Sequence, residues 1–402
     1  MVRNHPVRIV KLFRFFVPDK GARGMSYLRG LVICSCLLLI ALGLSAQEPP
    51  AYAFTDLGRV EDSGSEAKAV NTNGVAVGSI GYNSQGTIRE RAFYYSGGVR
   101  GFDFDAGSAP NMKSGALAVD DAGCAVGWTQ NTDGAPVYFE MFKAADSCPH
   151  NDTIFGANLG GVNSTAYGVN NGGLMVGVSK TDSDLYHACS LAFDSTTMSD
   201  LGVLPGGSSS AAMDVNDEGV IVGYSDTESV VQTATRWDSG VPTDLGAFPG
   251  SAAGTQSYAL AVNNAEDPQI VGWSYGSAAG GQQHGCVWQN GLMEDLGTLA
   301  GGDTSEAWDV NDLGEVVGWA RTADYHVHAV LWDATGTIID LNTVEGIPSG
   351  WILAKAEGIN NSGQIVGRGV YDGSDRAFLI TPILFQDGFE NGSFDGWTDV
   401  VP

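Results

Sequence analysis

Three residues that could bind a metal ion lie close together in the stretch ADYHVH: Asp324, His326 and His328. Side chains two residues apart point to the same side of a β-strand, so both imidazoles could face one cation beside the carboxylate. A structural metal site needs a further firm ligand, and the local sequence offers none. We therefore treat these residues as weak metal candidates and predict no metal or other cofactor.

The remaining chemistry-bearing residues show no known catalytic pattern. The chain lacks GxSxG, HExxH, CxxC and GxxxxGK, which argues against the enzyme classes that use them. His187, His284 and His328 recur at one position of a repeated unit, where Arg91 and Arg376 stand in other copies. A position that accepts both His and Arg favours a structural hydrogen-bond donor, so we predict no catalytic residue.

The charge of the chain restricts its partners. There are 46 acidic and 20 basic residues, for a net charge of −26. A negative field of this size repels phosphate backbones and anionic lipids, so the chain is not expected to bind nucleic acid or membrane surfaces. Cations and basic partners remain possible.

The first 46 residues form a predicted export signal. An apolar run from Leu31 to Leu44 follows Arg29 and ends in small residues at Ala46, which is typical of a cleaved signal peptide. Met25 is a possible true start. The run is short for a membrane span, so the chain is expected to contact a membrane only if this segment stays uncleaved. We expect a secreted or cell-surface bacterial protein.

A unit of about 48 residues recurs seven times after the signal. Each copy contains a turn that begins with Asn or Asp, and Ala precedes that residue by four in every copy. A Gly follows the turn residue by seven, or by nine in the fifth copy. The turn residues are Asn71, Asp120, Asn170, Asn216, Asn263, Asn311 and Asn360. The Asn-to-Gly spacing predicts a hairpin, and the small residues predict a strand packed closely against neighbours.

The repeat predicts four short strands per copy, the fourth ending near Asp-Leu-Gly, and no helix competes. Four-stranded units of this length form the blades of a β-propeller. The segment 51–58 resembles a fourth strand placed before the first copy, while the last copy stops after its third strand at 376–382. We predict an all-β, seven-bladed propeller over residues 47–382, closed by the N-terminal strand completing the last blade. Residues 383–402 form a predicted tail.

Four cysteines follow the signal, in a compartment that permits disulfides. Cys189 and Cys286 occupy the same position of two non-adjacent copies, which favours buried free thiols. Cys124 and Cys148 lie within one copy, and the sequence leaves open whether they pair.

These elements resemble the HAF repeats of bacterial extracellular proteins, named for a His-Ala-Phe tripeptide in the third strand. The nearest tripeptides are at His187–Cys189, His328–Val330 and Arg91–Phe93, and the resemblance spans residues 54–380. It implies export and a repeat fold, and it brings no catalytic residues.

The second and fourth connections of each blade vary in length and sequence, and they share one face of the ring. Variable loops on a rigid scaffold commonly bind partners. Aromatic and acidic residues of these loops, which suit glycans or basic patches, are the predicted contacts: Tyr82, Tyr186, Tyr275, Tyr325, Trp351, Asp182, Asp226, Asp324 and Asp372. We predict a non-catalytic propeller that binds a glycan or a protein. The alternative is a polysaccharide hydrolase or lyase with carboxylates in the central funnel.

Overall fold

A computed structural model describes residues 50–59, 63–84, 87–102, 113–130, 136–145, 147–150, 153–155, 158–252, 254–276 and 280–383. The predicted signal at 1–46 and all but the first residue of the predicted tail lie outside these ranges. The described residues form strands and turns, and none of them belongs to a helix that could cross a membrane.

Seven antiparallel sheets of four strands make up the described chain, as the repeat predicts. The first strand in the chain is β1 (Tyr52–Gly58). Blade 1 contains β2 (Ser65–Val70), β3 (Ala76–Ser84), β4 (Thr87–Ser96) and β5 (Val99–Phe102). Blade 2 contains β6 (Lys113–Val119), β7 (Cys124–Gln130), β8 (Val137–Lys143) and β9 (Thr153–Phe155). Blade 3 contains β10 (Gly160–Val169), β11 (Leu174–Thr181), β12 (Tyr186–Ala192) and β13 (Ser199–Gly202).

The later blades follow the same order. Blade 4 contains β14 (Ser210–Val215), β15 (Ile221–Asp226), β16 (Gln232–Asp238) and β17 (Val241–Asp244). Blade 5 contains β18 (Ser257–Val262), β19 (Ile270–Tyr275), β20 (Gln283–Gln289) and β21 (Leu292–Gly297). Blade 6 contains β22 (Ser305–Val310), β23 (Val316–Arg321), β24 (Val327–Trp332) and β25 (Ile338–Asp340). Blade 7 contains β26 (Trp351–Ile359), β27 (Ile365–Tyr371) and β28 (Ser374–Pro382).

The fourth strand of blade 7 comes from the beginning of the propeller. β1 pairs antiparallel with β28, and Tyr52 lies opposite Pro382. The pairing gives each of these strands a neighbour and joins the two ends of the repeat array in one sheet.

The turn residues link each blade to the next around the ring. In six of the seven copies the residue is Asn, and its Nδ2 donates a hydrogen bond to the backbone carbonyl of the equivalent residue in the next blade, at 2.7–3.1 Å. The last of these bonds runs from Asn360 to Asn71 and closes the circle. Asp120 has no side-chain donor when ionised, so the circle has one gap, between blades 2 and 3.

A second circle of hydrogen bonds involves the residue that follows each turn residue, with one link, from Asn361 to Thr72, not made among the described residues. We call it the outer circle and the first the inner circle. The backbone N–H of Asp217 donates to Oδ1 of Asn264 at 2.7 Å, and that of Asn264 donates to Oδ1 of Asp312 at 2.7 Å. We call the side of the ring that contains both circles the turn face.

The repeated Gly is required by close contact between the first two strands of each blade. A Cβ at these positions would lie 1.9–2.1 Å from a carbonyl oxygen of the first strand. The residues are Gly78, Gly127, Gly177, Gly223, Gly272, Gly318 and Gly367. The Ala four residues before each turn is fully or almost fully buried in all seven copies, because neighbouring blades converge there.

A recurring Ser connects neighbouring blades near the other end of the first strand. Ser210 Oγ accepts a hydrogen bond from the backbone N–H of Ala188 and donates to the carbonyl of Gly202, both at 2.8 Å. The last copy has Ala354 instead. There, Asn342 replaces the Gly of Asp-Leu-Gly, and its amide makes two hydrogen bonds to the backbone of Leu353.

Of the four cysteines that follow the predicted signal, two form a disulfide and two are free thiols. Cys124 and Cys148 form a disulfide, which answers the question that the sequence left open. Cys189 and Cys286 are buried free thiols, as predicted, and burial raises the pKa of both well above its usual value.

Candidate functional site

The second and fourth connections of the blades lie on the side opposite the turn face, because successive strands run in alternating directions. We call this side the loop face. The predicted contact residues are distributed around it over six blades and do not form one cluster. Tyr186, Tyr275 and Tyr325 are 42%, 37% and 71% exposed. Asp182, Asp324 and Asp372 are also exposed.

Three of the predicted contact residues have structural partners. Asp226 is buried, and its carboxylate accepts hydrogen bonds from the backbone N–H groups of Ser208 and Ser209 at 2.6 and 2.7 Å. Trp351 is half-buried, with its ring against those of Phe54 and Tyr371. The guanidinium of Arg91 lies 4.6 Å from the ring centre of Tyr82. Asp226 thus stabilises the backbone of the β13–β14 connection, and we do not retain it as a ligand contact.

The weak metal candidates are not arranged as ligands of one ion. His328 Nδ1 lies 2.7 Å from Oδ2 of Asp340, on the neighbouring strand of its own blade. His326 and Asp324 lie in the exposed β23–β24 connection. No group of three or more His, Cys, Asp or Glu side chains among the described residues is placed to hold a metal.

The His/Arg position of the third strand has a structural role in four blades. Its side chain contacts the Asp of the Asp-Leu-Gly element at 2.7–2.9 Å. The pairs are His187–Asp200, His284–Asp295, His328–Asp340 and Arg376–Asp56. The same Asp accepts a backbone N–H two residues later, as Asp295 does from Gly297. Burial opposes ionisation of Asp295, but the hydrogen bonds from His284 and Gly297 outweigh it and leave the pKa lowered.

Blade 4 departs from this pattern. Thr233 occupies the His/Arg position, and its Oγ1 donates to Oδ1 of Asp244 at 2.7 Å. Gly246 donates its backbone N–H to the same oxygen at 2.7 Å. No described residue donates a hydrogen bond to Oδ2, and Asp244 is exposed. The short Thr therefore leaves space beside the carboxylate where four other blades place a His or Arg side chain.

A cavity of about 360 Å³ opens at this place, on the loop face between blades 4 and 5. We call it the seam cavity. It is lined by residues of the β15–β16 connection at 227–231, by Thr233 and Asp244, and by the β17–β18 connection up to Thr255. The lining combines hydroxyl groups, glycine backbone and one carboxylate with the buried ring of Phe248. Its volume falls within the usual range of small-ligand sites.

Aromatic rings lie along the same seam on its inner side. Tyr258 stacks on Trp273 with ring centres 4.3 Å apart, and Tyr224 and Tyr275 extend the group at 4.7 and 5.7 Å. The hydroxyl of Tyr258 contacts Gln232, which directly follows the β15–β16 connection. Burial raises the pKa of Tyr224 and Tyr258, so both stay neutral donors. The predicted contact Tyr275 is the exposed member of this group.

Four non-glycine residues of the second connections have left-handed backbone angles: Asp184, Val230, Tyr325 and Asp372, with φ of 52–63°. Such angles are especially unfavourable for a β-branched residue. Val230 is nevertheless 78% exposed, beside the seam cavity. Neither Val230 nor Tyr325 buries its side chain in return for this backbone strain.

Two carboxyl groups occupy equivalent positions, each two residues before a turn residue, and Asp214 lines the central channel at its turn-face end. Asp214 accepts a hydrogen bond from the backbone N–H of Val262, and Asp309 accepts one from Ile359, each in the next blade. Both side chains are half-buried. Burial raises the pKa of Asp309 to about 7, and the charge of Asp214 adds to that effect.

A charged group occupies another part of the inner wall. Trp308 and Trp319 donate their indole N–H groups to Oε2 of Glu306 at 2.6 and 3.0 Å. The ammonium of Lys355 lies 4.4 Å from the ring centre of Trp308, and burial lowers the pKa of Lys355. Sequence analysis missed this group because the two neighbouring blades that form it contribute different residue types to it.

Sequence analysis also missed Thr233, Asp244 and Phe248, the residues that define the seam cavity. A signal was present, since Thr233 is a short side chain at a position that holds Arg or His in five other copies. The sequence alone does not show that this Thr leaves space, because the pairing of His or Arg with the Asp of Asp-Leu-Gly appears only in the folded blades.

Neither a protein-family model nor a curated protein matches this chain. Solved structures with a similar fold include a puromycin-hydrolysing peptidase from Mycobacterium tuberculosis, 10% identical over 80% of this chain and 53% of the peptidase, with a TM-score of 0.49. The β-propeller domain of the Trilobed protease from Pyrococcus furiosus is 9% identical over 79% of this chain and 95% of its own length, with a TM-score of 0.42. The Aleuria aurantia lectin, solved with Fucα1-6GlcNAc, is 11% identical over 75% and 100%, with a TM-score of 0.36. Propellers of lectins and of peptidases are therefore both among its structural neighbours, and identities this low do not identify a ligand.

Proposed function

We propose that this protein is an exported bacterial glycan-binding propeller whose ligand enters the seam cavity on the loop face. Export rests on the predicted signal at 1–46, and the HAF-repeat resemblance agrees with it. The chemistry of the cavity supports a sugar in particular. The hydroxyl groups can donate to and accept from sugar hydroxyls, the carboxylate can accept from them, and the exposed ring of Tyr275 on the neighbouring strand β19 provides apolar surface.

The observation that carries this proposal is that the cavity is built from the two variable connections of blade 4, with the exposed Val230 between the lining residues Ser229 and Val231. A left-handed backbone costs an L-residue with a Cβ about 1–2 kcal/mol. An exposed Val contributes no core packing that offsets this cost within the monomer. An apolar contact between Val230 and a ligand would explain why an apolar side chain occupies this position.

The test is a glycan-binding screen with residues 47–402, followed by calorimetry on the glycans that bind. The variant Ser229→Trp places a large side chain over the cavity edge and is expected to weaken binding at least tenfold. Ser183→Trp is the matched control, because Ser183 precedes the left-handed residue of blade 3 just as Ser229 precedes Val230. Equal affinities for the two variants, or no bound glycan in the screen, would contradict the proposal.

One observation favours the alternative of a polysaccharide hydrolase or lyase. Asp309, with a pKa near 7, has the protonation behaviour of a general acid, and Asp214 is close enough to influence it. Both carboxyl groups, however, bond to the backbone of the next blade, which gives them a structural role. Release of reducing ends from acidic or neutral polysaccharides, abolished by Asp309→Asn without loss of the fold, would establish the alternative.

A further inference from the structure

We propose that the seam cavity selects a sugar with a free ammonium group, and that this ammonium binds Asp244 where other blades place His or Arg. The inference rests on the proposed glycan-binding function and names the class of glycan. An amino sugar in its deacetylated form has this chemistry.

The first support is the comparison of equivalent positions within the chain. In blades 3, 5, 6 and 7, the Asp of the fourth strand contacts a His or Arg nitrogen at 2.7–2.9 Å. The fold therefore places a nitrogen donor against this carboxylate in four independent copies. Blade 4 retains the Asp and its backbone contact through Gly246, but the hydroxyl of Thr233 takes the place of the nitrogen donor.

The second support is the surroundings of Asp244. No Lys, Arg or His is among the described residues that line the seam cavity. On the same strand as Thr233, Arg236 forms its ion pair with Asp238 at 2.8 Å. Oδ2 of Asp244 receives no hydrogen bond from the described residues, so a ligand ammonium could donate to this oxygen without displacing a protein cation.

The third support is the rest of the lining, which favours a sugar over the side chain of a basic protein. Thr227, Ser229 and Thr255 line the same cavity as the carboxylate. The hydroxyls of Thr227 and Thr255 donate to backbone carbonyls and can still accept hydrogen bonds from a ligand. These groups match the hydroxyls of a sugar ring, whereas the stem of a lysine side chain has no polar atom to pair with them. The cavity also has more volume than a single ammonium requires.

The test compares tetramers of glucosamine and of N-acetylglucosamine by calorimetry with residues 47–402. We expect the glucosamine tetramer to bind at least tenfold more tightly. Thr233→Arg copies the arrangement of blade 7, and Thr233→His copies that of blades 3, 5 and 6. Both variants should fill the vacancy, pair with Asp244 and abolish the preference, while the conservative control Thr233→Ser should retain it. Thermal melting identifies any variant that fails to fold, and either filled variant alone is sufficient for the comparison.

The outcomes separate this inference from the proposed function. If acetylated or neutral glycans bind equally well, and Ser229→Trp still blocks them, the ammonium inference is wrong and the glycan-binding function stands. If a lysine-rich peptide competes at the cavity and amino sugars do not, a basic protein replaces the sugar as ligand. If no sugar binds the parent protein, both are wrong.

Discussion

The two faces of this ring use the same repeat in opposite ways. On the turn face, six Asn side chains make equivalent contacts with the next blade, and seven Gly residues allow equivalent close contacts between strands. On the loop face, each blade differs, and the seam cavity occurs where blade 4 has the short Thr233 at a position that four other blades fill with His or Arg paired to Asp. In a repeat protein, uniform positions hold the blades together, and departures from uniformity are where a specific ligand site can arise.

The largest effect on stability is expected from a substitution at a position that is the same in all seven blades. Gly223→Ala would place a Cβ 2.0 Å from the carbonyl oxygen of Ala211, between the first two strands of blade 4. We expect a loss of about 3 kcal/mol or more in the free energy of unfolding, measured by urea denaturation. Gly219→Ala lies in the same hairpin at φ +79° with open space around its Cβ, and it should cost only about 1 kcal/mol. Similar losses for the two variants would show that the close contact is not what fixes this position.

A smaller loss of stability is expected from a substitution in the inner circle of hydrogen bonds on the turn face. Asn216→Ala removes the donor to the carbonyl of Asn263 and the acceptor of the Val220 N–H, both buried. Leaving buried backbone groups unpaired costs about 1–3 kcal/mol. Asn264→Ala removes only an exposed contact of the outer circle, so it should cost less than about 0.5 kcal/mol. An inner variant as stable as the outer one would refute the structural role of the circle.

The smallest effect, and one of opposite sign, is expected from Asp120→Asn, which supplies the donor missing from the inner circle. We expect about 0.5–1.5 kcal/mol of added stability at neutral pH. Burial raises the pKa of Asp120 in the folded protein, so its contribution to stability is complete below the unfolded pKa and is lost as pH rises through the folded one. The advantage of the Asp120→Asn variant should therefore shrink towards low pH. Thermal melting of both proteins from about pH 3 to pH 8, a range that spans the titration of the carboxyl group, checks this, and a constant difference would contradict it.

Most of the fold could be predicted because the same sequence signals for strands and turns recur in all seven copies. The spacing of the Asn turns, the buried Ala and the close-contact Gly each have a local cause that recurs in sequence. The partner of Asp226 could not be predicted, since the backbone of Ser208 and Ser209 approaches it only after blade 4 has folded. Asn342 contacts Leu353 in the copy that has Ala354 where other copies have Ser. This contact could not be predicted for the same reason. For the candidate site, sequence patterns indicated the loop face, on which the seam cavity lies, and the exposed Tyr275, but they did not identify the cavity.

The closure of blade 7 also fixes where the propeller can be attached to anything else. β1 begins and β28 ends at the turn face, where the backbone N–H of Ile383 donates to the carbonyl of Ala51 at 2.8 Å. The chain thus enters and leaves the ring at one point on its rim. Both ends of the propeller therefore lie on the turn face, and the loop face with the seam cavity is left clear of them.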